Sequence, residues 1–304
     1  MTILEDAIIS SRKLSERSKA IYLEGVQRFI AFGGPYPSQW TPAAIETWQR
    51  MLAEGQLTNT RVSPQSINTY TKGVRYASRR WAERERNPAL DFARVVEPMR
   101  VGPPVRPIRV LDLAQARRLR KACDGSQPSD LNDAALITCG LRLGLRRESL
   151  RLATIEATDL RTRTMIVPIK GGRILTVPLD DECVNAIQRW LTWLRRHDAA
   201  SGSLFRSFYQ PGLTEQRHRV GGIMSRSGIA RTVAKRAELA GLGKLNPHAL
   251  RHTYVTLARQ AGVSDDEIAK RTGHRPSGGG IRYPMLNTYT AEPTRALELP
   301  SMEG

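Results

Sequence analysis

Cysteine is scarce in this sequence: Cys123, Cys139 and Cys183 are the only three in 304 residues, lie far apart and never form CxxC. That excludes a disulfide framework and offers no cysteine-type zinc site, so the thiols read as small core residues in a reducing compartment. No apolar run approaches the roughly 18 residues of a membrane span. The opening MTILEDAIISSRKL lacks the basic-then-apolar pattern of a secretory leader. A cytoplasmic protein, nucleoid-associated and with no membrane, is expected. Internal repeats and low-complexity tracts are missing too, which excludes solenoids and tails. Acidic residues are short: 29 Asp+Glu face 47 Lys+Arg, leaving +18. Lysine is rare among the cations, 8 of the 47, so arginine dominates. Arginine matches phosphate bidentately where lysine is a point charge, and such a field attracts polyanions, nucleic acid first.

The length suggests two domains, at about 150 residues each. Residues 15–32 carry Tyr22, Val26, Phe29 and Ile30 at helical spacing, and Ile45, Trp48 and Leu52 follow Thr41 as N-cap and Pro42 at the first helical position. Residues 66–84 give the clearest stripe, Ile67, Tyr70, Val74, Ala77 and Trp81, with Arg75, Arg79, Arg80 and Arg84 mostly off it. Between 97 and 110 the chain reads EPMRVGPPVRPIRV, which no helical period survives. The organisation expected is a helical domain over 1–100, a Pro/Arg-rich linker over 101–109 whose Arg106 and Arg109, with Arg100 just before them, can follow phosphates, and a second domain over 110–304. Helices resume at Leu113–Ala122 spacing and over 131–143, while MIVPIKGGRILTVPL (165–179) reads as a β-hairpin turning at Gly171-Gly172 with Lys170 at its tip. Further helices follow at Val184 to Leu194 and over 227–239.

Chemistry concentrates late in the chain. In NPHALR, Asn246 caps a helix with Pro247 at its first position, so His248 and Arg251 lie three apart on one face and can reach one phosphate. His248 and His252 have the spacing of a helical zinc pair, but no third ligand is evident, and no metal or other cofactor is expected. Ser264 to Glu267 reads as a capping box starting a short helix that Gly273 ends, with His274 just beyond. Tyr283 comes nine residues after His274.

Gly144-Leu145-Arg146-Arg147, Lys170, His248-x-x-Arg251, Gly273-His274 and Tyr283 follow the order and spacing of the tyrosine recombinases, the phage-integrase family, which the sequence resembles over 110–290; residues 15–97 are more loosely similar to that family's helical core-binding domain. The resemblance implies a mainly α protein with a small β-hairpin or sheet, an α+β catalytic domain and a two-domain C-shaped clamp around double-stranded DNA. It implies a site-specific recombinase or integrase in which Tyr283 forms a covalent 3′-phosphotyrosine, Arg146 and Arg251 stabilise the phosphate, Lys170 is general acid to the leaving 5′-oxygen, His248 assists as acid and base, and His274 hydrogen-bonds the phosphate. A homotetramer exchanging strands of two DNA sites through a Holliday junction belongs to the same implication; accessory proteins are left open.

Family members usually carry Ser-Glu or Gly-Glu two and three residues after the first arginine; here Glu148 and Ser149 stand in reversed order. Arg142 fits the same short pattern as Arg146 and competes with it, and Tyr289 competes with Tyr283. A DNA-binding relative without catalysis, a topoisomerase-like nick-and-religate enzyme and a helix-turn-helix regulator, which the basic helix over 66–84 would suit, are the other readings.

Overall fold

A computed structural model describes residues 1–102, 109–169, 172–208, 221–273 and 299–302. The chain divides into two compact units, Met1–Arg106 and Pro107–Gly304.

The first unit is built from α1 (Ile3–Ile9), α2 (Glu16–Gly33), α3 (Pro42–Glu54) and α4 (Pro64–Glu85), with single 3-10 turns at Pro37–Gln39 and Pro88–Leu90. The side chains of Ser15, Thr41 and Ser63 accept the backbone N–H three residues on, satisfying one donor that a helix start leaves unpaired. Helix α1 is an element the sequence reading passed over, although its signal is present: Thr2 and Glu5 form a reciprocal capping box, and Leu4 and Ile8, one turn apart, are buried. Phe29, Trp48, Ile67 and Val74 fill the core these helices share. Helices α2 and α4 approach so closely that a Cβ on Gly25 would lie 2.6 Å from the Tyr70 carbonyl oxygen, and one on Gly73 would lie 2.5 Å from that of Tyr22. Only glycine fits at either point.

The arginines of α4 are interleaved with acids. Arg79 and Arg80 both pair with Glu83, and Arg84 pairs with Asp6 and Glu85. Arg75 turns inward and donates to the carbonyls of Ala93 and Val96, fastening the segment after the helix.

The second unit runs α5 (Leu113–Lys121), α6 (Pro128–Leu143), α7 (Arg147–Arg151), β1 (Thr158–Asp159), β2 (Thr164–Ile169), β3 (Arg173–Pro178), α8 (Asp181–Arg195), α9 (Arg226–Leu239), α10 (Pro247–Gln260) and α11 (Asp265–Thr272). It is mostly helical around a small antiparallel sheet of order β1-β2-β3, in which Met165 pairs with Val177 and Val167 with Leu175. Met165 and Val167 are buried while Ile166 between them is exposed, the period-2 pattern of a half-buried strand. Helix α6 is the axis of the unit: residues 132–143 are all buried, which is why its sequence reads as an apolar run rather than a stripe. Cys139 and Cys183 lie in the core between α6, α8 and the sheet, and Cys123 in the one that α5, α9 and α10 complete. All three are free thiols, and burial pushes Cys123 up to about 12.

Three details depart from the sequence reading. Arg109 does not point outward toward a polyanion; it donates to the backbone carbonyls of Leu242 and Lys244, tying the chain before α5 to the loop before α10. The capping box at Ser264 is half formed: Ser264 accepts the Glu267 N–H, but the Glu267 carboxylate is taken by Arg271 at 2.6 Å. A charge-assisted bond at helical i,i+4 spacing outcompetes a backbone N–H. Strand β1 and helix α7 are too short to leave a periodic signal. Among the described residues, no helix is long and apolar enough to cross a membrane.

Candidate active site

Helix α6 ends at Gly144, which takes the left-handed conformation at φ 58° and so turns the chain sharply toward Arg146. A Cβ at Gly144 would collide with the ring of Tyr254, so the position needs glycine for two independent reasons. Arg146 then serves as N-cap of α7 with extended backbone angles, and its side chain donates to the carbonyl oxygens of Gly273, at 3.1 Å, and Thr272, at 3.5 Å.

Helix α10 begins as its sequence dictates: Asn246 caps it by accepting the Ala249 N–H at 3.1 Å, and Pro247 takes the first position. One turn in, Arg251 is 2% exposed and donates to the Gly144 carbonyl at 2.8 Å and the Thr272 carbonyl at 3.0 Å. Arg146 and Arg251 therefore converge on one acceptor, the Thr272 carbonyl at the end of α11. The other terminal nitrogen of Arg251, Nη2, is buried and has no hydrogen-bond partner.

Electrostatics sharpen the contrast with the other buried arginines of this unit. Arg236 is held by Asp130 and Asp133, Arg120 by Asp124, and Arg142 by Asp180, with Glu182 at 3.9 Å. Among the described residues no carboxylate pairs with Arg251, and burial together with the positive charge of Arg146 holds it down to about 10. Arg146 is lowered by burial and by Arg173. His248 is lowered by burial, then by His252, Arg251, Arg147 and Arg146, and its ring centroid lies 5.8 Å from that of His252. A half-buried cluster of like charge with an unfilled donor is costly unless an anion completes it. Two guanidinium forks and an imidazole suit a tetrahedral oxyanion such as a phosphodiester. No three His, Cys, Asp or Glu side chains gather as a metal site among the described residues.

Arg142, the competitor of Arg146 in the sequence, plays another part. It is 7% exposed and its partners are different ones, Asp180 and the carbonyl oxygens of Leu299, at 3.4 Å, and Pro300, at 2.7 Å. The reversed Glu148-Ser149 pair also resolves. Glu148 bridges Arg151 and Arg226, which hold it down to about 2, whereas Ser149 is buried and donates to the Pro168 carbonyl at 2.7 Å. Tyr254 is buried and raised to about 12, a packing residue. Lys170, His274, Tyr283 and Tyr289 lie outside the described residues, as does Arg106; of the residues preceding the first two, Gly273 borders both Ile169 and Arg146, since a Cβ on Gly273 would lie 3.1 Å from Ile169 Cδ1 and 3.8 Å from Arg146 Nη1.

Depressed His248 has a measurable consequence. An imidazole held below its ordinary value of 6.5 by burial and by facing cations is neutral in the free protein, and a phosphate beside it would restore the proton. The complex then binds more protons than its components, so affinity rises as pH falls below about 6.5. Binding of a short mixed-sequence duplex, followed by fluorescence anisotropy at constant salt, is expected to tighten severalfold from pH 7.5 to 5.5, and His248→Asn to flatten that slope. Equal slopes would remove His248 from the anion site.

The match to the family model described as the phage integrase family spans residues 109–289. Tyrosine recombinase XerC of Shewanella oneidensis is 25% identical over 273 residues, 87% of this chain and 81% of that protein. XerC of Actinobacillus pleuropneumoniae serotype 7 is 27% identical over 152 residues, 50% of this chain and 46% of that protein, and with most such relatives the match spans about half their length. The solved structure of XerH site-specific recombinase bound to a palindromic difH substrate, a post-cleavage complex, superposes with a TM-score of 0.67 at 14% identity, covering 90% of this chain and 77% of that one. That likeness is one of fold. With the family model matching well over half its length, the chain belongs to the phage integrase family of tyrosine recombinases.

Proposed function

We propose that this chain is a site-specific DNA recombinase that breaks and rejoins strands through a covalent 3′-phosphotyrosine. The observation that carries the reading is the meeting of Arg146 and Arg251 at the Thr272 carbonyl with, among the described residues, no carboxylate to neutralise them and Arg251 Nη2 unfilled. The phenol of Tyr283 attacks the phosphorus, the bond from phosphorus to the 5′-oxygen breaks, and Lys170 supplies the proton that the leaving oxygen takes up. Arg146, Arg251 and His274 hold the non-bridging oxygens as their charge builds, and His248 accepts the phenolic proton. Because the phosphotyrosine conserves the bond energy, a 5′-hydroxyl from another strand can reverse the step without ATP or metal. Residues 1–100 are assigned to DNA binding, 101–109 to the linker and 110–304 to catalysis. Double-stranded DNA is the partner, a homotetramer on two sites passing through a Holliday junction is the working assembly, and the cytoplasm, at the nucleoid, is the location. The net charge of +18 and the XerC and phage-integrase kinship support each of these.

Covalent trapping tests the reading. The protein is incubated with genomic DNA of its source, denatured, and protein-linked DNA is recovered and its ends sequenced. Wild type and Tyr289→Phe are expected to give adducts at a defined sequence, and Tyr283→Phe none. DNA that wild type binds without forming any adduct would overturn the catalytic reading.

A further inference from the structure

We infer that the second unit carries a separate binding site for a chain of phosphates, formed by Arg117, Lys121 and Arg189 at the opposite end of α6 from Arg146 and Arg251. The three line an open cavity of about 390 Å³ together with Arg120, Asp124 and Met302. Helix α5 supplies Arg117, Arg120 and Lys121 from its second half, and α8 supplies Arg189. The cavity lies by the start of α6. Arg236 joins the Ala122 carbonyl, at the C-cap of α5, to Asp130 in the first turn of α6, at 3.0 and 2.7 Å, and Asp124 follows Ala122 by two residues. Arg146 and Arg251 meet beyond Gly144, where α6 ends. A helix of 16 residues is about 24 Å long, so one phosphate cannot serve both places.

Charge and lining select the ligand. Asp124 is spent on the buried Arg120, which leaves Arg117, Lys121 and Arg189 exposed and, among the described residues, paired with no carboxylate. Arg117 is also steadied: its Nε donates to the Ser301 carbonyl at 2.9 Å, and its terminal nitrogens have no other partner among the described residues. Met302, whose N–H Glu182 accepts at 2.7 Å, is the one apolar side chain of the described lining. The cavity therefore offers no ring on which a base could stack and little surface for the apolar anchor of a peptide. Three cations in one concavity match the closely spaced charges of a phosphate chain, and two of them are forks suited to its oxygens. A free polyphosphate and the phosphodiester backbone of DNA both present that chemistry.

Titration calorimetry of the full chain with inorganic triphosphate at physiological salt tests the site. Lys121→Glu combined with Arg189→Glu is expected to weaken binding at least about tenfold, because two of the three unpaired cations are reversed. Arg195→Glu with Arg196→Glu makes the same change in net charge at exposed positions by the end of α8, outside the cavity, and should stay within about twofold, since separated surface charges are screened. Arg251→Gln, which alters the anion site at the far end of α6, should retain the binding that the first pair removes. Repeating the titration on protein saturated with a mixed-sequence duplex separates the two sources of phosphate: triphosphate binding that survives assigns the cavity to a free polyphosphate, and binding that disappears assigns it to the DNA backbone. Absence of binding to wild type, equal losses in the two charge-reversed pairs, or a loss confined to Arg251→Gln would overturn the inference. So would an oligoglutamate peptide that displaces triphosphate at a lower concentration than pyrophosphate does, which would make the cavity a docking surface for an acidic protein segment.

Discussion

Replacing Arg251 by glutamine is expected to lower the rate of adduct formation by about 10²–10³ while leaving the protein as stable as wild type, or more so. On the proposed function catalysis suffers because the guanidinium would be a preorganised donor aimed where negative charge develops, and removal of one such donor typically has that effect. Stability behaves differently because the charge Arg251 carries is buried, 2% exposed, and compensated only by two carbonyl dipoles. Its unfilled Nη2 and the nearby charge of Arg146 both oppose folding of the DNA-free protein. Glutamine keeps one N–H group for the Gly144 or Thr272 carbonyl and discards the charge. Lysine keeps the charge but not the fork, and should be nearly as inactive as glutamine. Adduct time courses and thermal melts on the same preparations check both halves. A glutamine variant that loses activity and also melts far lower would make Arg251 a structural arginine instead.

The helix carrying Arg251 was legible because its start is written locally: Asn246 and Pro247 fix where it begins, and the 3-residue spacing then places His248 and Arg251 together. Helix α3 was legible for the same reason, through Thr41-Pro42, while α4 was legible by its apolar stripe and its start at Ser63-Pro64 was not read. What escaped depends on partners far away in sequence. Arg146 and Arg142 fit one local pattern, and nothing near either says that Asp180, 38 residues on, belongs to Arg142. On α4 the acids Glu83 and Glu85 that meet the arginines were in local view, whereas Asp6, 78 residues from Arg84, was not. Ser149 looked like a misplaced family residue until its acceptor, 19 residues ahead on a strand edge, came into view. Charge, caps and periods are local; the decision between a structural and a functional arginine is made by tertiary carboxylates.

Arg142→Ala should therefore be the mirror image of Arg251→Gln. Arg142 is as buried as a core residue, and its partners Asp180 and Glu182 are nearly so, with side chains 13% and 11% exposed. Deleting the guanidinium strands two carboxylates and the carbonyls of Leu299 and Pro300, which undoes the docking of residues 299–302, where Leu299 and Met302 are buried. Breaking a buried pair on one side costs about 3–5 kcal/mol, a large share of the stability of a domain this size. The melting temperature should fall on the order of 10 °C. Adding Asp180→Asn should recover part of that loss, because asparagine removes the stranded charge yet still caps α8, where Asp180 accepts the Cys183 N–H at 2.9 Å. Below its lowered melting point the Arg142→Ala protein should still form the adduct, since this guanidinium faces carboxylates and not the anion site. Arg146→Ala should do the opposite: among the described residues it gives up no ion pair, so its stability stays within about 1 kcal/mol of wild type while adduct formation collapses. A stable but inactive Arg142→Ala protein would exchange the two assignments and put the end of α6, rather than the start of α7, at the phosphate.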